Sequence, residues 1–308
     1  MMKRCFRFCT VIVAVAVASA HAGEIISLPT AAVSQQGKTS KFKQFLTMNS
    51  RITAQGKTLP VAVNISMFQT QKYGYSSNGL IPVTTSIAIG NIGGTVDGQS
   101  IASQMPKNFK FPPMPSITSY VTESGKIAKV KVTDNAKGKP KTMVMTPKMD
   151  DITQAMMGFL PPSGTLELGQ PIRKEISLPI PGAKVSGQVT FVPLKVIEVG
   201  GEPVVEIMID GDGSMSAQTD LGQVASSLGK SAGAQVPKNM PKMDIAGNGN
   251  MIVNGTMLIG LNSGEPVRQD IKITVFLDVA MMGQSVSGDM DLTVGGYRIS
   301  STTKVAKR

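Results

Sequence analysis

The chain has 308 residues, no tryptophan, and only one histidine and two cysteines, all three at its start: His21, Cys5 and Cys9. Beyond residue 22 neither imidazole nor thiol is available for nucleophilic or metal-dependent chemistry, so the chain is read as a non-enzyme with no catalytic residue, metal or cofactor. The net charge of +11 is unevenly spread: Lys38–Lys148 holds 15 Lys or Arg against Asp97, Glu123 and Asp134, whereas Met149–Arg308 holds 13 against 16 acids.

Residues 1–22 read as a signal peptide. Lys3, Arg4 and Arg7 form a positive start, Val11 to Ala20 an apolar stretch, and Ala20-His21-Ala22 a small-residue cleavage site before Gly23. The apolar stretch is shorter than the ~20 residues a membrane anchor needs. Cys9 precedes it, whereas the acylated cysteine of bacterial lipoproteins follows. The expected product is soluble and lies in the periplasm or outside the cell. Thirty-two Gly, 19 Pro and many Val, Ile and Thr then describe a mainly β protein.

Residues 23–40 read as an irregular lead-in. A first β lobe, 41–148, follows: Phe42–Gln55, Pro60–Lys72 and Leu80–Ile92 alternate apolar and polar residues, with Asn78-Gly79 as a hairpin turn. Thr118–Val132 folds around Ser124-Gly125, and Lys141–Met145 adds a short strand. A joining helix is expected over 149–160. Asp150–Phe159 starts with paired acids, spaces Ile152, Ala155, Met156 and Phe159 helically, and stops at Pro161-Pro162.

The second β lobe, 161–308, reuses the rhythm. Ala183–Ile197, a turn at Gly200-Gly201, Pro203–Asp210, Gly249–Leu261, a turn at Ser263-Gly264, Asp270–Met281 and Ser285–Ile299 read as strands, and Thr219–Ala232 as a helix with Leu221, Val224, Ala225 and Leu228 on one side. Gln104-Met105-Pro106-Lys107-Asn108 matches Gln235-Val236-Pro237-Lys238-Asn239, and Ser124-Gly125-Lys126 matches Ser263-Gly264-Glu265, which points to an internal duplication. The expected architecture is two tandem curved antiparallel sheets, half-barrel or sandwich-like, each under a short helix.

Phe159-Leu160-Pro161-Pro162 leading into Leu166-Glu167-Leu168-Gly169-Gln170-Pro171, with Gly247-Asn248-Gly249 opening a later strand, resembles an uncharacterised group of bacterial exported two-lobed β proteins. Each lobe is distantly similar to the half-barrels of periplasmic lipoprotein carriers. That resemblance implies a curved sheet cradling acyl chains under helices, and assigns the role to no particular residue.

Methionine is the unusual side chain, with close groups at Met143/Met145/Met149, Met156/Met157, Met240/Met243 and Met281/Met282. Thioethers bind Cu(I), and they also line adaptable apolar pockets. The pocket reading is preferred, with Met143, Met145, Met156, Phe159, Met208, Leu228 and Met257 as ligand-lining candidates. Asp210-Gly211-Asp212-Gly213-Ser214 opens like a calcium loop but has Met215 and Leu221 where the turn glycine and bidentate acid belong, so it reads as a strand ending in a tight glycine turn. Ser227-Leu228-Gly229-Lys230 fits a Ser-x-x-Lys pair without the Lys-Thr-Gly and fold that chemistry accompanies. Asp289/Asp291 and Glu202/Glu206 read as solvent faces of strands rather than as glycosidase acids.

Lys126, Lys129, Lys131, Lys137, Lys139 and Lys141 make the densest basic stretch, suited to an anionic membrane surface or, more plainly, to a solvated strand edge. Arginine is scarce there and aromatics are not interleaved in sequence, which argues against nucleic acid. The function expected from the whole is a periplasmic binding protein for an apolar or amphipathic, lipid-like ligand. The alternatives are a cell-envelope scaffold without a cavity and methionine-based Cu(I) binding.

Overall fold

The computed structural model describes residues 23–104, 114–133, 142–145, 163–180, 183–220, 244–281 and 284–303. The first half supplies β1 (Ile25–Leu28), β2 (Lys38–Ala54), β3 (Lys57–Tyr73), β4 (Leu80–Val96), β5 (Gln99–Ser100), β6 (Ser116–Thr122), β7 (Ile127–Thr133) and β8 (Thr142–Met145). The second supplies β9 (Gly164–Glu167), β10 (Ile172–Ile180), β11 (Ala183–Val199), β12 (Glu202–Asp220), β13 (Asp244–Gly260), β14 (Pro266–Met281) and β15 (Gln284–Thr303). Strands of 17 residues, such as β2, β3 and β4, each run about 56 Å.

All of them except β1 and β9 belong to one antiparallel sheet, ordered β10-β11-β12-β13-β14-β15-β2-β3-β4-β6-β7-β8 with β5 beside β4. This corrects the expectation of two tandem sheets. Each half does contribute a six-stranded meander, but β15 pairs with β2 from Val286↔Ala54 to Thr303↔Lys38 and fuses them. The physical reason is the edge. Two separate sheets would leave the long backbone ladders of β15 and β2 unpaired, and their lengths and alternation match.

Turn chemistry sets the register as expected at Asn78-Gly79, where both residues have positive φ (53° and 74°), the geometry that follows the twist of a two-residue hairpin. Asp210-Gly211-Asp212-Gly213-Ser214 does not end a strand. β12 runs straight through it, paired with Ser186–Thr190 on one side and Asn250–Asn254 on the other. Flanking strands supply partners for every backbone group there, and that overrides the local turn preference of the glycines.

Covering helices are also corrected. Among the described residues the β1–β9 ribbon, which pairs Ile25–Leu28 with Gly164–Glu167, lies on the sheet, and the helical structure is two single turns, Ala31–Ser34 and Ile101–Gln104, both against β4. The lead-in, expected to be irregular, therefore carries regular structure. Thr219 and Asp220, the expected start of a helix, are the last residues of β12 and pair with Ile245 and Asp244. The rest of that segment and the joining helix over 149–160 lie outside the described residues, as do the matched pentapeptides apart from Gln104.

Candidate functional site: the concave apolar face

Register sorts the side chains onto two faces with opposite character. Leu46, Met48 and Ile52 of β2 share a face with Val61, Val63 and Ile65 of β3, with Ile87, Ile89 and Ile92 of β4, and across the β15 seam with Met290 and Leu292. The same face continues through Ile273 and Val275, Met251 and Val253, Ile207 and Ile209 to Val189 and Phe191. The other face carries Lys43, Asn49, Arg51, Asn64, Asp270, Lys272, Asp289 and Asp291. Of the seven strand methionines whose side chains are described, Met48, Met67, Met215, Met251, Met257 and Met290 lie on the apolar face and Met208 on the polar one.

Neighbouring backbones approach closely at glycines of the apolar face, which points to a bend toward it. A Cβ on Gly187, Gly211 or Gly249, all on that face, would come within 2.5, 2.7 and 2.5 Å of the carbonyl oxygens of Asp212, Gln188 and Phe276 on adjacent strands. Only residues without a side chain let neighbouring backbones lean together in this way, so the glycines mark where the sheet curls. The result is an apolar trough.

Among the described residues the trough is covered in one half and has no such cover in the other. Ile26 and Leu28 of β1 and Leu166 and Leu168, from β9 and just beyond it, pack on Val189, Phe191, Ile207, Ile209, Met257 and Ile259, all essentially without solvent exposure. Among the described residues no comparable buried layer lies over β2, β3 and the Ile87–Ile92 part of β4; Ala32 covers Ile81, at one end of β4. Leu46, Met48, Val61, Val63, Ile65, Ile87, Ile89 and Ile92 are half-buried, and Ile52 and Leu59 are 41% and 39% exposed.

One end of the trough is plugged by the lead-in. Thr30 donates its Oγ1 hydrogen to the Glu123 carbonyl, Ser34 and Gln35 donate to the Ser263 carbonyl, and Ala32 packs on Ile81 and Val121. The two turns that match in sequence, Ser124-Gly125 and Ser263-Gly264, thus both meet the segment Pro29–Gln35. Beneath it, Arg298 donates to Glu265 Oε2 at 3.2 Å, to Ser263 Oγ at 3.1 Å and to Glu202. Glu265 is fully buried, and its Oε1 has no hydrogen-bond partner among the described residues. Tyr73 lies close by and donates to Gln71 Oε1 at 2.7 Å; burial, and then the Glu265 charge, push its hydroxyl far above the ordinary range, so it stays protonated.

Lys174 is a charge within the apolar face. Its register partner is Val189, its Nζ lies 5.6 Å from the centroid of the Phe191 ring, and burial holds its pKa below the ordinary lysine value. Among the described residues no group of three or more His, Cys, Asp or Glu is placed to hold a metal ion. No described helix is long and apolar enough to cross a membrane.

No protein-family model and no curated protein matches the chain. Among solved structures, a DUF1329 family protein from Desulfovibrio piger is 8% identical over 97% of this chain and 95% of its own, with a TM-score of 0.25. OpdQ of Pseudomonas aeruginosa is 8% identical over 85% and 98%, at 0.23. The COG4313 outer membrane channel of Pseudomonas putida is 7% identical over 86% and 96%, at 0.25. Superpositions at these scores carry no functional weight, and the reading of the trough rests on the chain's own residues.

The residues singled out from the sequence are dispersed. Met257 is buried in the covered core, whereas Met208 sits on the opposite face of the sheet. Met143 and Met145 lie in β8, paired with Val132 and Val130. Met156, Phe159 and Leu228 fall outside the described residues. Of the basic stretch, Lys129 and Lys131 are on β7, paired with Tyr120 and Thr118, and Lys126 adjoins the β6–β7 turn; Lys137, Lys139 and Lys141 are outside the description. The apolar-face residues of β3 and β4 are not among those that residue type alone singles out. Their signal was present in the strict alternation of Val61-Val63-Ile65 and Ile87-Ile89.

Proposed function

We propose that this chain is a non-enzymatic, exported binding protein that holds an apolar or amphipathic, lipid-like molecule against the open part of its concave face. The observation that carries this reading is the continuity of that face. The surface that forms a tightly covered core over β11–β14 extends across β2, β3 and β4 with the same apolar composition and no covering partner among the described residues. An exposed apolar patch of this extent on a folded protein marks a binding surface. A concave apolar wall with adaptable thioethers suits acyl chains of varied length.

The test is direct. N-phenyl-naphthylamine, an apolar dye that brightens on leaving water, is titrated into the full chain and displaced with a long-chain fatty acid. Binding and displacement are expected, with affinity falling at least about tenfold in Val63→Asp and Ile89→Asp variants that keep their circular dichroism, because a buried carboxylate disfavours the apolar ligand. Absence of dye binding, or unchanged affinity in both variants, turns the reading to an envelope scaffold without a ligand.

A further inference from the structure

The convex face divides into two electrostatic territories that the linear sequence conceals. β2, β3, β4, β6 and β7 carry eight Lys or Arg and no acidic residue, and register puts six of the eight on the convex face, Lys38 and Lys57 lying on the apolar one. β10 to β15 carry seven Lys or Arg against twelve acids in all, with Lys174, Glu198 and Arg298 on the apolar face. Register brings the first group together. Lys72 pairs with Thr84, Thr84 with Thr118 and Thr118 with Lys131, so one cross-strand row holds two lysines, with Lys41, Lys43 and Lys129 on nearby rows of the same face.

Aromatic rings are set among these lysines in space, although not in sequence. Lys43 Nζ lies 5.0 Å from the Phe45 ring centroid and 5.8 Å from that of Phe68, Lys129 Nζ lies 5.4 Å from Tyr120, and Phe45 and Tyr297 are 6.2 Å apart, tilted at 35°. Phe68 partly shields the backbone at Gly90. That packing leaves Phe45, Phe68 and Tyr297 39%, 44% and 45% exposed on the convex side, where the fold gains nothing from apolar rings.

We infer that this convex face of the first half is a docking surface for an anionic lipid bilayer. Lysine stems lie along the rings and keep their ammonium groups at the headgroups, while the rings enter the interfacial layer. The acid-bearing second half is repelled, which orients the molecule. Flexible lysines rather than arginine forks, and mutually tilted rings rather than a stack of parallel platforms, favour a diffuse anionic surface over single-stranded nucleic acid. The face is opposite the proposed ligand trough, so its test stands or falls separately.

The experiment is sedimentation of the full chain with phosphatidylethanolamine vesicles, with and without phosphatidylglycerol, at increasing salt. Binding is expected only with phosphatidylglycerol, and should fall steeply with salt. Replacing Lys41, Lys43, Lys129 and Lys131 with Gln is expected to weaken binding about fivefold for each lysine at low salt. Phe45→Ser with Phe68→Ser should remove the part that survives raised salt, and Arg173→Gln with Arg268→Gln in the second half should leave binding unchanged. Salt-insensitive binding by the unmodified chain, equal binding to vesicles lacking phosphatidylglycerol, or equal loss in the second-half variant overturns the proposal. Tighter binding to single-stranded nucleic acid than to vesicles would assign the face to a polymer instead.

Discussion

The two halves of the trough use the same material to different ends. Val189, Phe191, Ile207 and Ile209 are sealed beneath Ile26, Leu28, Leu166 and Leu168, whereas Val61, Val63, Ile87 and Ile89, on the same face of the same sheet, have no such cover among the described residues. The difference lies not in composition but in where the two short strands β1 and β9 come to rest. An antiparallel sheet with one apolar face needs a second layer, and among the described residues that layer spans part of the width.

Truncation tests that contrast most strongly. Phe191→Ala, in the sealed half, is expected to cost about 3–5 kcal/mol of unfolding free energy, whereas Ile89→Ala, in the open half, costs about 1 kcal/mol, because its methylenes already meet solvent. Urea titrations followed by circular dichroism compare the two; equal losses would mean that the open half is covered as well.

The boundary between the halves is sharpened by the Arg298 cluster, which sits on β15 at its bulge against β2. Arg298→Met leaves Glu202 and the fully buried Glu265 without their cation, and is expected to destabilise by about 3 kcal/mol. Hydrogen exchange should then rise in β2 and β15 before β12 and β13. Protection lost uniformly would show that the seam is no weaker than the rest of the sheet.

A smaller effect separates charge from packing within the apolar face. Burial lowers the Lys174 pKa, so the folded chain holds that proton less tightly than the unfolded one. The penalty is full at neutral pH and is relieved as pH rises through the lowered folded value toward the unfolded value of about 10.4. Lys174→Met is therefore expected to stabilise the chain at pH 7 by under about 1 kcal/mol, with the gain shrinking in alkaline solution. Thermal melts across that range check the sign, and a gain independent of pH would attribute it to packing alone.

Much of the framework was legible locally. Alternation in Pro60–Lys72 and Leu80–Ile92 marked real strands and both of their faces, and Asn78-Gly79 and Ser263-Gly264 marked real turns, because side-chain period and positive-φ residues act over a few residues. The site was less legible. Choosing by residue type selected Met208 and Met257 together, although adjacent-strand parity puts them on opposite faces. Gly211 and Gly213 read as a tight turn ending a strand, since their place within β12 depends on how near the neighbouring strands lie.

The amino-acid sequence by itself determined that this is a β protein with long alternating strands, tight turns, a basic first half and no imidazole or thiol beyond its first 22 residues, since composition, periodicity and turn chemistry are properties of short stretches. The tertiary structure decided that two meanders become one sheet through β15 and β2, that the lead-in spans two matched turns, and that rings and lysines distant in sequence share one convex surface. Those outcomes depend on pairing and curvature between segments up to about 260 residues apart, as with Ser40 and Ser301, and no local pattern encodes which edges must meet.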